Sequence, residues 1–230
     1  MQKIVILTGA GISAESGLAT FRDAGGLWAQ HRIEDVATPD AFARDPERVH
    51  AFYNARRAQA DEVQPNAAHQ ALARLQAEHS GEVVIVTQNV DALHEAAGAR
   101  DVIHMHGELA RALCAACGER WPVTGDISPA EACPACAARA CRPDVVWFGE
   151  IPYRMDEILN HLQGAEIFAA IGTSGEVYPA AGFAQEAAGH GAHCVEINLE
   201  ASAVSRDFDE ARQGRASEMV PAWVAEVLGG

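Results

Sequence analysis

Stretches of six or seven apolar and β-branched residues recur along the chain, at Lys3 to Thr8, Glu82 to Thr87, Ala165 to Ile171 and His193 to Asn198. Their near-continuous hydrophobicity predicts strands buried on both faces, as in a parallel sheet. Between them, helical patterns run over Pro46 to Ala60, Ala67 to His79 and Ala180 to Ala188, with a last helix over Val220 to Leu228 and Pro221 in its first turn. Asn66 is placed to cap the second of these, with Leu72 and Leu75 on its buried face. Two stretches break the rhythm: one helical and mixed, the other rich in cysteine and carrying Pro122, Pro129 and Pro134. We read residues 25–65 and 109–142 as insertions forming a small second domain, and residues 1–24, 66–108 and 143–230 as the main one.

Composition narrows the class. With 49% hydrophobic and 21% charged residues, the 230-residue chain is ordinary globular protein, large enough to bury a core unaided. No apolar run approaches the ~18 residues of a membrane span. The strand pattern begins at Lys3, leaving no room for a signal peptide, so a cytoplasmic location is expected. A formal net charge of -15 argues against nucleic acid as partner, because that affinity rests on Lys and Arg neutralising phosphates.

Four motifs carry chemistry. The first strand runs into Gly9-Ala10-Gly11-Ile12-Ser13, a strand, glycine turn and helix start that suits a dinucleotide phosphate. The third glycine of a dehydrogenase fingerprint is replaced by Ala14, and no acidic second-strand end follows on schedule. The expected fold class is therefore α/β, a Rossmann-like doubly wound parallel sheet. Next, Gln88-Asn89-Val90-Asp91 follows a strand directly, where such sheets bind ligands; a simple helix cap is the plainer alternative. Third, His104-Met105-His106-Gly107 places a titratable base near another strand end, with His106 the candidate general base. Fourth, Cys114-x-x-Cys117 and Cys133-x-x-Cys136, separated by fifteen residues, have the spacing of a structural zinc ribbon. Cys141 is a spare that could replace Cys133 or Cys136, and Cys194 reads as a core residue.

In this order, GAGISAESGLATFR, PNAAHQAL, TQNVD, HMHG, the paired cysteines, PDVVWFGE, GTSGEVYPA and INLE resemble the sirtuin family of NAD-dependent protein deacylases over nearly the whole chain. The resemblance implies that an acyl-lysine carbonyl oxygen attacks the nicotinamide ribose of NAD, releasing nicotinamide and leaving an imidate. His106 then deprotonates a ribose hydroxyl, and free lysine and O-acyl-ADP-ribose result. It implies that Gly9, Ala10, Gly11, Ile12, Ser13, Phe21 and Arg22 cradle and cover the cofactor. Gln88, Asn89, Val90 and Asp91 face its ribose and nicotinamide, and Gly172, Thr173, Ser174, Asn198, Leu199, Glu200 and Ala216 its adenosine half. Val146, Trp147, Phe148, Gly149 and Glu150 would hold an acylated protein segment as an added strand, and Val177 would also contact substrate.

Tyr53-Asn54-Ala55-Arg56 resembles the Tyr-x-x-Arg of the sirtuin branch that prefers acidic acyl groups, and Ala37 a small residue that widens the pocket there. Residues at i and i+3 share a helix face, and a guanidinium can pair bidentately with a succinyl or malonyl carboxylate. The implied enzyme is a broad deacylase that takes acetyl groups as well. The alternatives are a dehydrogenase, a protein mono-ADP-ribosyltransferase using the same NAD site, and a nucleic-acid-binding zinc ribbon; the first and last leave His106 and PDVVWFGE unexplained.

Overall fold

A six-stranded parallel sheet forms the centre of the computed structural model, which describes residues 2–18 and 31–229. Its strands are β1 (Ile4–Thr8), β2 (Val83–Thr87), β3 (Ile103–His104), β7 (Ile167–Ile171), β8 (His193–Asn198) and β9 (Glu210–Gln213), in the order β3-β2-β1-β7-β8-β9. β1 pairs in parallel with β2 on one side and β7 on the other, so the winding reverses between β1 and β7. The crevice at the carboxyl ends of those strands is where a doubly wound sheet binds its ligand.

β1 and β2 are buried throughout, and their alternate residues feed two cores. Ile4, Ile6, Val83 and Ile85 pack under α5 (Ala67–Glu78) and α9 (Ala216–Gly229). Val5, Leu7, Val84 and Val86 pack under α7 (Met155–Gln163) and α8 (Phe183–Gly189), the latter led in by a 3-10 turn at Ala180–Gly182. The first helix after β1 is only α1 (Ala10–Ala14).

Helix α9 starts four residues before the expected Val220, and Pro221 lies inside it. The reason is remote in sequence. The Glu15 carboxylate accepts from the Ser217 backbone N–H at 3.0 Å and from its hydroxyl at 2.6 Å, satisfying the first turn.

Between α1 and α5 the chain forms α2 (Ile33–Val36), α3 (Pro39–Arg44) and α4 (Pro46–Asp61), and α6 (Leu93–Ala96) follows β2 and packs against α5. A separate antiparallel sheet has the order β5-β4-β6, from β4 (Gly107–Cys114), β5 (Arg120–Pro122) and β6 (Cys141–Val145). The two Cys-x-x-Cys turns project from it. Among the described residues no helix is long and apolar enough to cross a membrane.

Candidate functional site

The loops after β1 and β7 meet through their glycines. A Cβ on Gly9 would stand 2.8 Å from the Gly172 carbonyl oxygen, and one on Gly11 2.8 Å from the Gly172 Cα. Gly172 itself has φ +64°, and its own Cβ would lie 2.4 Å from the Ile12 nitrogen. The freedom of these glycines, expected to serve ligand approach, first serves the closure of loop on loop. Gly11 N–H donates to the Gly172 carbonyl at 2.8 Å. Helix α1 opens on Gly9 with no side-chain cap.

The polar run after β2 locks onto this turn. Asn89 donates through Nδ2 to the Gly9 carbonyl and to Ser13 Oγ, both at 3.1 Å. Ser13 Oγ in turn donates to Asp91 Oδ2 at 3.2 Å. Gln88 donates to Thr173 Oγ1 at 3.0 Å, and Asn198 to the Thr173 carbonyl at 2.7 Å. Amide, hydroxyl and carboxylate groups from the ends of β1, β2, β7 and β8 thus line one crevice, a donor set that fits the ribose hydroxyls and the amide of a dinucleotide. Ser174 is half-buried there, while Leu199 and Glu200 are exposed at its margin and Ala216 opens α9. Phe21 and Arg22 lie outside the described residues.

The two histidines of His104-Met105-His106 differ in partners. His106 Nδ1 lies 3.1 Å from the Gln88 carbonyl, an acceptor only, so Nδ1 carries the proton and Nε2 keeps its lone pair. Burial holds its pKa below the ordinary 6.5, against the opposing pull of the Gln88 carbonyl. A neutral imidazole with a free Nε2 is a base at neutral pH. His104 instead meets the Asn89 carbonyl at 3.2 Å and Glu95 Oε1 at 2.8 Å. Burial opposes its charge, but Glu95 outweighs it and the pKa is raised. His104 is thus held by two partners that favour its charged form, whereas the surroundings of His106 favour the neutral ring.

Sequence reasoning missed a shell beneath the site. Asn66 caps α5 as expected, accepting from Ala68 N–H at 2.9 Å, but its Nδ2 also donates to the Ile12 carbonyl at 2.8 Å and Ser16 Oγ at 3.0 Å. His69 Nδ1 accepts from the Asn66 N–H at 3.3 Å, closing a capping box whose spacing was present in Asn66 and His69. Its Nε2 reaches Ser13 Oγ at 3.5 Å. His94 Nε2 sits 2.9 Å from Thr8 Oγ1. Burial pushes the pKa of His69 down to about 4, and burial with neighbouring His69 and His104 pushes His94 to about 3. An unfolded chain protonates both near 6.5 and so binds more protons than the fold. Stability therefore falls as pH drops below 6.5, by about 1.4 kcal/mol per unit for each histidine. His104, with its raised pKa, contributes stability that is fully present below 6.5 and is lost as pH rises above it, so it offsets part of the loss between pH 7 and 6.5 and none of it below. A urea midpoint at pH 5.5 should lie clearly below that at pH 7 and the difference should shrink in His94→Gln; equal midpoints would show both rings already charged in the fold.

Beside the crevice, an apolar wall joins Val36, Ala37, Phe52, Tyr53, Val90 and Trp147. The Tyr53 and Trp147 rings are 6.5 Å apart. Tyr53 is buried, and burial raises its phenol to about 12. Arg56 is half-buried, and its charge is felt by both Tyr53 and Asp91. Phe148 N–H donates to the Ala37 carbonyl at 3.0 Å, and the Phe148 side chain is 45% exposed. Glu150 was expected to touch substrate; its carboxylate is instead taken up inside the loop. It receives Arg142 on both oxygens, at 2.6 and 2.8 Å, and the Trp147 N–H at 2.8 Å. Arg142 also stacks 3.5 Å above the Trp147 ring, so Glu150 shapes the segment and Val146, Phe148 and Gly149 form its accessible side.

The sulfurs of Cys114, Cys117, Cys133 and Cys136 all lie within 4.8 Å of one another. Two of the separations are 3.8 and 3.7 Å. Ligands about 2.3 Å from a tetrahedral zinc stand roughly 3.8 Å apart, far beyond a disulfide. The four thiols fit structural zinc. Cys141 is outside the cluster, buried in β6, with its thiol raised to about 11 by burial; Cys194 is buried in β8 as expected.

The profile of the Sir2 family matches residues 9–179. The chain belongs to the Sir2 family. This Sir2 chain is 57% identical to an NAD-dependent protein deacylase of Escherichia coli (strain K12), over 99% of its own length and 83% of the relative's. It is 55% identical to an NAD-dependent protein deacylase of Vibrio vulnificus (strain YJ016), covering 99% and 94%. A solved Sir2 homologue in complex with NAD superposes with a TM-score of 0.90 at 39% identity, covering 98% of this chain and 89% of that one. A Sir2 variant with a deacetylated peptide and 3′-O-acetyl ADP-ribose gives 0.80 at 28% identity, covering 97% and 92%.

Proposed function

We propose that this chain is an NAD-dependent protein-lysine deacylase that removes acetyl and acidic acyl groups, succinyl and malonyl among them, and yields nicotinamide and O-acyl-ADP-ribose. The observation that carries the reading is the neutral His106, with Nδ1–H on the Gln88 carbonyl and Nε2 unprotonated, beside a crevice of dinucleotide-compatible groups. NAD supplies the ribose that receives the acyl group. Gln88, Asn89 and Asp91 hold that ribose and the nicotinamide amide, with Val90 forming part of the apolar wall beneath. His106 Nε2 takes the proton from a ribose hydroxyl. Gly9 to Ser13, with Phe21 and Arg22, cradle the phosphates, and Gly172 to Ser174, Asn198 to Glu200 and Ala216 take the adenosine half. The substrate lies extended along Val146 to Gly149, with Val177 on its other side. Residues 1–24, 66–108 and 143–230 act as the NAD-binding domain, residues 25–65 and 109–142 as the small one, and the enzyme works in the cytoplasm.

The acidic-acyl part rests on Tyr53 and Arg56. A phenol raised to about 12 stays a hydrogen-bond donor, and the guanidinium beside it remains charged despite its burial. Arg56→Met should lower kcat/KM for a succinylated peptide by roughly 10- to 100-fold, the worth of a charged hydrogen bond, and that for an acetylated peptide far less. Equal losses would remove Arg56 from the acyl pocket. The reaction itself is tested by mass spectrometry of acetylated and succinylated lysine peptides with and without NAD. Loss of both acyl groups only with NAD, with the matching O-acyl-ADP-ribose, supports the proposal. Unchanged peptides with ADP-ribose attached to protein would point to transfer instead.

A further inference from the structure

Helix α4 carries two different jobs on neighbouring faces. His50, Asn54 and Arg57 fall at i, i+4 and i+7, one stripe of the helix. All three are spent on the backbone of the zinc-bearing insertion. His50 Nε2 lies 3.0 Å from the Cys141 carbonyl, so this nitrogen carries the proton it donates. Asn54 grips Ile127 twice, donating to its carbonyl at 2.9 Å and accepting from its N–H at 3.1 Å. Arg57 donates to the Leu109 carbonyl at 2.6 Å, to Asn54 Oδ1 at 2.8 Å and to the Gly125 carbonyl at 3.2 Å. The adjacent face presents Tyr53 and Arg56. One rigid helix is therefore fixed by the ribbon on one side and faces the acyl-binding wall on the other.

We propose that Asn54 and Arg57 are specificity-positioning residues, through which the zinc ribbon sets the height and rotation of Tyr53 and Arg56 against an acidic acyl group. This rests on the reading of Tyr53 and Arg56 given above. A bidentate contact to a carboxylate depends on angle, whereas an acetyl methyl group only needs space, so a small rotation of α4 harms the first and spares the second. Arg57 needs its planar fork to reach three acceptors at once, and a lysine at that position has no such fork. The ribbon thereby acts on acyl choice without touching substrate.

The test measures kcat and KM for succinylated and acetylated forms of one peptide, and KM for NAD, on zinc-loaded Asn54→Ala, Arg57→Lys and Arg56→Met. The expected result is a KM for the succinylated peptide raised about tenfold in Asn54→Ala and Arg57→Lys, with the acetylated-peptide and NAD values held within about twofold. General loosening of the fold would move all of these together. With Arg56→Met shifting the succinyl-to-acetyl ratio, an unchanged ratio or an equal loss in both positioning variants overturns the proposal. Should Asn54→Ala not fold, Arg57→Lys decides alone. An unchanged ratio in Arg56→Met brings down the acidic pocket itself, and the positioning role with it.

Discussion

Replacing His106 with Ala is expected to lower turnover by about 10²- to 10⁴-fold, the usual contribution of a positioned general base. NAD affinity and zinc content should be untouched, because His106 bonds through Nδ1 to the Gln88 backbone carbonyl, at 3.1 Å, and the four clustered thiols make up a zinc ligand set without it. The pH dependence follows from the same geometry. Burial favours the uncharged ring, so the base form persists below the ordinary 6.5 and is lost as pH falls through the lowered value. The acid limb of kcat/KM should therefore be centred below 6.5, and it should disappear from the residual activity of the variant. Near-normal turnover in His106→Ala, or an acid limb centred above 6.5, would remove His106 from the role. His104 cannot substitute, since Glu95 and the Asn89 carbonyl already occupy both of its nitrogens.

Zinc removal should have the second large effect. The ribbon has only a minor core, with Ala112, Ile127 and Cys141 buried and Trp121 and Val123 packed against it. That is too little apolar surface to hold two knuckles and a short strand unaided. Structural zinc contributes about 10–16 kcal/mol in small zinc domains, far more than this core can replace. Chelation, or Cys133→Ser, should release β5 and the knuckles, shift Trp121 fluorescence toward that of a solvated indole and add a separate low-temperature melting step. The parallel sheet, with its own two cores, should persist. A metal-free protein with the same fluorescence and a single unchanged melting transition would show that the four thiols do not carry the ribbon.

The four inner strands of the parallel sheet were legible because β1, β2, β7 and β8 are buried on both faces, so apolarity alone marks them. The strands that escaped notice owe their state to partners distant in sequence. β4 reads Gly-Glu-Leu-Ala-Arg-Ala-Leu-Cys, a composition suited to a helix, and is extended because β5 and β6 flank it. β6 contains Arg142, Pro143 and Asp144 yet is buried. Arg142 is paired with Glu150, while Asp144 receives Arg120 at 3.1 Å and the Tyr153 hydroxyl at 2.9 Å. β9, at the sheet edge, is polar at three of its four positions and gives no hydrophobic signal. The chemistry divides the same way. Glycines, the polar run and the cysteine pairs announce themselves by residue type and spacing. Which histidine is the base depends on Glu95, and what occupies Glu150 depends on Arg142; neither relation has a local signature.

The placement of β1 between β2 and β7 sets a schedule for biosynthesis. Ile4 finds its register against Val83 on one side and Ile167 on the other, so the second neighbour of the central strand is made about 160 residues after the first strand. At about 5–20 residues per second on the ribosome, that interval is roughly ten to thirty seconds. Throughout it, Ile4-Val5-Ile6-Leu7 presents an unpaired apolar edge, the kind of template on which nascent chains join one another. The feature that builds the crevice in the finished molecule makes the growing chain a natural client for holding chaperones, and overproduction that outruns them should yield inclusion bodies before it yields misfolded monomer.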